Sequence, residues 1–466
     1  MQFDTYIYAL FLPVVFLIYW WLRKRLTWQN AFLLAASYVF YGWWDWRFLG
    51  LILITTLTTF FTALPIGGNS RRAVRRGFVA ANVVVNLGIL ATFKYFNFFA
   101  DVLRDLLGAL GLHADWPTLN ILLPVGISFY TFQAISYTID VYRGKTKATR
   151  QLLPFMTYIA FFPQLVAGPI ERADHLMPQL TSPRRFDCGQ AVTGMRQILW
   201  GLAKKVLIAN TMGNYLDTML YNPLAMNAWT IVLAAILFAI QIYADFSGYS
   251  DIAIGSARLL GIELVANFRY PYFSRSMREF WQRWHISLMS WFREYVYIPL
   301  GGSRRGKWRT CLNIMVVFAL SGLWHGADAT FVIWGTVNGL MLLPSVFMSR
   351  RETTAHASWR DVPRCLGVFA LAAIMFLIFR ANNLDHLGQM CHTLAYGNWA
   401  ALPMGLSAML YIAPFVVVEW LGRKQEFPLK HLPLPTAVRW LIYWGLSLAI
   451  LFSSAHDTQQ FIYFQF

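Results

Sequence analysis

Charge is what this sequence has least of. Of 466 residues, 13% are charged and 57% hydrophobic, against about a quarter charged in soluble domains. Acids are the scarcer sign, with 22 Asp and Glu against 39 Lys and Arg. The deficit, with a mean hydropathy of +0.46, excludes an ordinary soluble domain. Cysteine is sparse as well. Cys188, Cys311, Cys365 and Cys391 are scattered and form no CxxC pair, so neither a disulfide framework nor a zinc site is expected. There is no GxxxxGK[ST] loop, which argues against an ATP-driven pump, and no HExxH or GxSxG motif. The apolar runs do not alternate with period two, which favours helices over a β-barrel.

What the chain does have is long apolar blocks. They fall at 6–22, 30–45, 48–66, 78–99, 119–139, 152–169, 229–246, 310–325, 329–347, 364–380, 403–420 and 437–454, each near the ~20 residues that cross a bilayer as helix. The expectation is an all-α polytopic membrane protein with about 11 or 12 transmembrane helices. The net charge of +17 does not point to nucleic acid. The basic residues sit between blocks, as in cytoplasmic loops: Arg23 to Arg25, Arg71 to Arg76, Arg143 to Arg150, Arg304 to Arg309, Arg350 with Arg351, and Arg423 with Lys424. Pairs of blocks separate most neighbouring clusters, which puts both termini outside. The first apolar run has no basic residue before it and a basic cluster after it, so it reads as a retained span rather than a cleaved signal.

The pattern fails from 151 to 303. Only two clear blocks lie there, amid Gly, Pro, Ser and charge, with Lys204 and Lys205 between them. Short, broken or re-entrant helices are expected, and irregular backbone at membrane depth must be buried in protein or line a cavity. The chain is read as one membrane domain, 1–466, with N-terminal helices in 1–150, a core in 151–347 and C-terminal helices in 348–466.

The densest chemistry lies between 241 and 326. In "QIYADFSGYSDIAIG", Asp245, Ser247, Tyr249 and Asp251 flank Gly248. Two carboxylates in an apolar block imply a hydrated cavity, a basic partner or a helix end; capping of half-helices broken at Gly248 is one such arrangement. In "REFWQRWHISLMSWFREYVYIPLGG", Trp281, Trp284, Leu288, Trp291, Phe292 and Tyr295 share one face of a helix drawn at 100° per residue. Arg283, Ser287, Ser290 and Glu294 share the other. His285 sits at the edge of the aromatic face and is expected to be buried. In "GLWHGADATFVIWG", His325 follows Trp324 in an apolar run, and Gly322 and Gly326 would admit a close helix or ligand. Buried and neutral, His325 can act as a general base; a structural hydrogen bond or a place in a proton path are the alternatives. Asp328 either orients His325 or faces solvent. Gln164, before Gly168 and Pro169, ends a helix and could frame an entrance.

These segments, with "LPVGISFYTFQAISYTIDVYRG", "FFPQLVAGPI", "NAFLLAASYVFYGWW" and "FIYFQF", resemble the membrane-bound O-acyltransferase family, in its branch that acetylates bacterial exopolysaccharides such as alginate. The resemblance runs almost end to end. It implies a helical disc with short tilted helices around a central tunnel. It makes His325, in Trp-His-Gly, the essential histidine and His285, in Trp-His-Ile-Ser-Leu, the second. It further implies an acyl donor from the cytosol, acetyl-CoA, with no permanently bound cofactor and an acceptor hydroxyl from the other side. Extracytoplasmic acetyltransferases and a polysaccharide synthesis and export complex in the bacterial inner membrane would be the partners, with lipid around the helices. Arg304, Arg305 and Lys307 could meet CoA phosphates or simply fix topology. Alginate, cellulose, another exopolysaccharide or a peptidoglycan system all fit these motifs. Two other classes share the features: a proton-coupled transporter using Asp245, Asp251, His285 and His325, and a scaffold that anchors an export complex.

Overall fold

The computed structural model describes residues 1–68, 71–112, 123–166, 168–220, 227–348, 356–400, 403, 405–454 and 461–462. Among the described residues every regular element is helical, with no strand. Arg350, Arg351, the start of the 119–139 block and residues 463–466 lie outside them. Among the described residues, six helices are long and apolar enough to cross a membrane: Trp46–Gly67, Arg72–Ala109, Ala228–Leu259, Ala329–Phe347, Trp359–Arg380 and Thr436–Ser453. Tyr6–Trp21 and Leu406–Gly422 are shorter apolar helices. The other blocks form shorter or more polar helices, among them Leu26–Gly42 and Lys307–His325. All four cysteines are free.

The chain divides into two compact units, Met1–Ala191 with Ser256–Val265, and Val192–Gly255 with Ala266–Phe466. In the first unit, Leu49–Gly67, Arg72–Leu90 and Ile127–Arg143 pack together. Their seam is polar. The Asn82 amide donates to Thr59 and Thr62 at 3.1 Å each and accepts from Thr138 at 2.9 Å. Such bonds hold helices together where burial of apolar surface cannot discriminate. Beyond 151 the chain breaks into Leu152–Ala160, Phe162–Leu165 and Ala173–Thr181. Pro163 and the Gly168–Pro169 step interrupt the ladder. Gln164 is buried here, and its amide donates to the Tyr158 carbonyl at 2.6 Å. It closes a helix end, the structural alternative weighed for it.

In the second unit the Ala228–Leu259 helix runs unbroken through Gly248. The expected break is absent, so Asp245 and Asp251 do not cap half-helices at Gly248. Gly248 serves a close crossing instead. A Cβ on Gly248 would lie 2.8 Å from the Gly201 carbonyl oxygen, and one on Gly201 would lie 2.6 Å from that of Gly248. Gly255 meets Gly194 in the same way, 2.6 Å from its carbonyl. Two glycines seven residues apart on each helix thus bring the backbones together. This approach carries Lys204 and Lys205, in the π-helical stretch Ala203–Asn210, to the two acids.

Candidate active site

His325 is the last residue of the Lys307–His325 helix. Gly326 leaves it in extended conformation, and Asp328 caps the next helix, Ala329–Leu342, accepting from the Thr330 amide at 2.8 Å and its hydroxyl at 2.9 Å. Asp328 therefore neither orients His325 nor simply faces solvent; its carboxylate holds a helix N-terminus. The two helices cross at glycines: a Cβ on Gly322 would overlap the Phe331 carbonyl, and one on Gly335 that of Phe318. This close packing sets the box around His325. Its ring centroid lies 4.9 Å from Trp324, 5.1 Å from Trp334 and 5.4 Å from Phe379, and the residue is 6% exposed. Gly335→Val is expected to force the crossing apart, at a cost of about 1–3 kcal/mol for overpacking, and to lower thermal stability and activity together. Thermal unfolding in detergent beside a transfer assay checks this.

His285 arrives from a break. The aromatic-faced stretch is not one helix but two, Met277–Arg283 and Ile286–Phe292, followed by π-helical Arg293–Tyr297. His285 sits at the join with φ 44 and ψ 53, left-handed and uncommon for a residue with a side chain. The aromatic face is buried despite the break, and so is His285, at 1% exposure. Its ring meets Phe246 edge-on at 4.7 Å and Trp324 at 6.0 Å. This enclosure by aromatic side chains favours the neutral imidazole.

The structure brings the two imidazoles together, with centroids 6.5 Å apart. Their nearest nitrogens are then no closer than about 4 Å, too far for a direct hydrogen bond. A proton acceptor and a second polar ring, walled by aromatics and protected from water, suit abstraction of a hydroxyl proton.

The acids have other work. Asp245 pairs with Lys205 at 2.9 Å, both fully buried, and accepts from the Ile462 amide at 2.7 Å. Asp251 pairs with Lys204 at 2.6 Å and accepts from Gln197 at 2.8 Å. Lys204 also donates to Ser247 at 2.8 Å. The Lys205 ammonium lies 5.6 Å from the centroid of Tyr249, whose ring packs on Phe461 at 4.2 Å. Of the options open in the sequence, a basic partner is realised for both acids, and Asp251 also lines a pocket. These lysines were missing from the site residues read from the sequence. The signal was present: two lysines inside an otherwise apolar stretch need anions.

A polar pocket lies beside this network, lined by Lys204, Ser247, Asp251, Asn267, Tyr270 and Glu419 among others, and reaching Glu426 to Pro428. Tyr243 donates to Glu419 at 2.7 Å. Neither histidine lines the pocket, but Asn267 bonds residues next to His285. Arg304 and Arg305 are exposed, and the Lys307 ammonium sits 5.5 Å from the Phe347 ring centroid. They stand at the other end of the His325 helix, about 27 Å away along its axis at 1.5 Å per residue. Among the described residues no group of His, Cys, Asp and Glu is arranged to hold a metal.

An all-α, multi-pass membrane protein built around a buried pair of imidazoles is the class these features define. The chain belongs to the membrane-bound O-acyltransferase family, whose profile matches residues 147–384. It is 36% identical to a probable alginate O-acetylase AlgI of Pseudomonas putida over 98% of both chains. It is 39% identical to the protein of that name from Pseudomonas aeruginosa, over 90% of this chain and 80% of the other. A peptidoglycan O-acetyltransferase of Helicobacter pylori is 30% identical over 80% and 76%. The protein is an acyltransferase, and the transporter and scaffold readings give way to it.

Proposed function

We propose that the protein moves acetyl groups from acetyl-CoA in the cytosol, across the bacterial inner membrane, to an extracytoplasmic acceptor for O-acetylation of a polysaccharide. The acceptor hydroxyl oxygen attacks the thioester carbonyl. The new C–O bond forms as the C–S bond breaks, and the hydroxyl proton passes to His325 and then to the departing CoA sulfur. A thioester is already activated, so the protein must mainly position it, accept a proton and exclude water. The observation that carries this reading is the His325–His285 pair inside its aromatic walls. Neutral His285 holds the hydroxyl for His325.

Positive-inside orientation puts Arg423 and Lys424 in the cytosol, with both termini periplasmic. The pocket that reaches Glu426 to Pro428 then faces the cytosol and is the donor's way in. Its amides and hydroxyls suit the uncharged amide-bearing arm of CoA. Arg304, Arg305 and Lys307 touch the donor phosphates only if the donor runs the length of the His325 helix; their exposure suits a topological role better. Relatives named for alginate and peptidoglycan O-acetylation support a polysaccharide as final acceptor, whether alginate, cellulose or another. Extracytoplasmic acetyltransferases would complete the transfer as partners. The test is to incubate the purified protein with radiolabelled acetyl-CoA and candidate acceptor protein. Label is expected to leave CoA and appear on the acceptor; label retained on CoA with every acceptor would refute the proposal.

A further inference from the structure

We infer that Asn267 is a positioning residue that holds His285 in its working conformation. The inference rests on the reading of His285 as the group that orients the acceptor hydroxyl. His285 and Tyr270 are the only non-glycine residues with positive φ among the described residues, and both lie in segments that grip each other. Arg269 donates its amide to the Arg283 carbonyl at 3.0 Å, and Ile286 donates to the Asn267 carbonyl at 2.9 Å. The chain is therefore tied on both sides of His285. The Asn267 side chain, 1% exposed, completes the tie. Its oxygen accepts from Ser287 at 2.6 Å, and its amide nitrogen donates to Ser250 at 3.0 Å. Ser250 belongs to the Ala228–Leu259 helix, so the clamp fixes the His285 segment to a long, buried helix. Phe268, the next residue, lays its ring nearly parallel to His285, 14° between planes and 6.4 Å between centroids.

A left-handed residue with a side chain persists only where its surroundings over-determine it. Of these ties, the backbone bonds survive any substitution, and the side-chain bonds to Ser287 and Ser250 depend on Asn267 alone. The carboxamide offers an acceptor to Ser287 and a donor to Ser250 from one planar group, and alanine offers neither. Without the carboxamide the 283–287 segment has a more relaxed backbone available, and the ring moves away from His325.

The test measures acetyl transfer in native membranes, which keep the full chain and its partners, with variants Ser287→Ala, Asn267→Ala and His285→Asn. Asparagine tolerates the left-handed conformation, so His285→Asn removes the ring while leaving the break intact. Asn267→Ala is expected to lower the maximal rate by roughly 10- to 100-fold, the scale of a misplaced catalytic group. Ser287 does not line the donor pocket, so Ser287→Ala is expected to lower the rate by a smaller factor without changing the acetyl-CoA concentration giving half-maximal rate. In the His285→Asn background neither change should lower the maximal rate any further, because residues that act through one group are not additive. Losses that multiply in that background, or an Asn267→Ala protein with full activity, would overturn the inference. If Asn267→Ala does not accumulate, Ser287→Ala alone decides in the same way. If His285→Asn is itself fully active, the role given to His285 fails and this inference fails with it, while His325→Gln still tests the base separately.

Discussion

Replacing His325 with glutamine is expected to reduce acetyl transfer by roughly 10²- to 10⁴-fold, the range that general acid–base catalysis contributes. Glutamine is the informative choice. Alanine would empty part of a box formed by Trp324, Trp334 and Phe379, and a cavity there costs a few kcal/mol in its own right. Glutamine keeps volume and a polar end but accepts no proton at neutral pH. Polymer acetylation and release of label from acetyl-CoA should both vanish, while protein level and detergent melting temperature stay near those of the parent. Retained transfer in the glutamine variant would remove His325 from the mechanism.

The second large effect is on stability. Lys205→Met should destabilise the protein by about 3–5 kcal/mol, because breaking a buried pair from one side strands an uncompensated charge. Asp245 and Lys205 are both fully buried, so water cannot take the place of the ammonium. Adding Asp245→Asn to Lys205→Met should recover much of the loss, since replacing both members of a buried pair can be nearly neutral. Lys204→Met should cost less. Asp251 is partly exposed and keeps its bond from Gln197. Thermal unfolding of the detergent-solubilised variants orders the three. A Lys205→Met protein as stable as the parent would show that the pair is not what holds the 203–210 stretch against the long helix.

The break at His285 shows how far a one-dimensional pattern carries. The aromatic periodicity from Trp281 to Tyr295 gathered those residues on one face and correctly expected His285 to be buried. It also drew a continuous helix, because the spacing of apolar residues does not register a single left-handed residue with no Gly or Pro to announce it. Gly248 misled in the opposite direction. A glycine among polar residues reads as a breaker, yet its missing side chain was needed by the helix carrying Gly201, which lies 47 positions earlier in the chain.

By itself the sequence determined that this is a multi-pass helical membrane protein with an irregular middle, and its motifs singled out the two histidines. Those properties follow from hydropathy, local spacing and residue identity, which are written along the chain. Only the tertiary structure decided what each polar side chain faces: lysines for Asp245 and Asp251, a helix end for Asp328, and His285 for His325. A buried polar group is defined by what lies opposite it, and that partner comes from elsewhere in the sequence, at a distance no local pattern encodes.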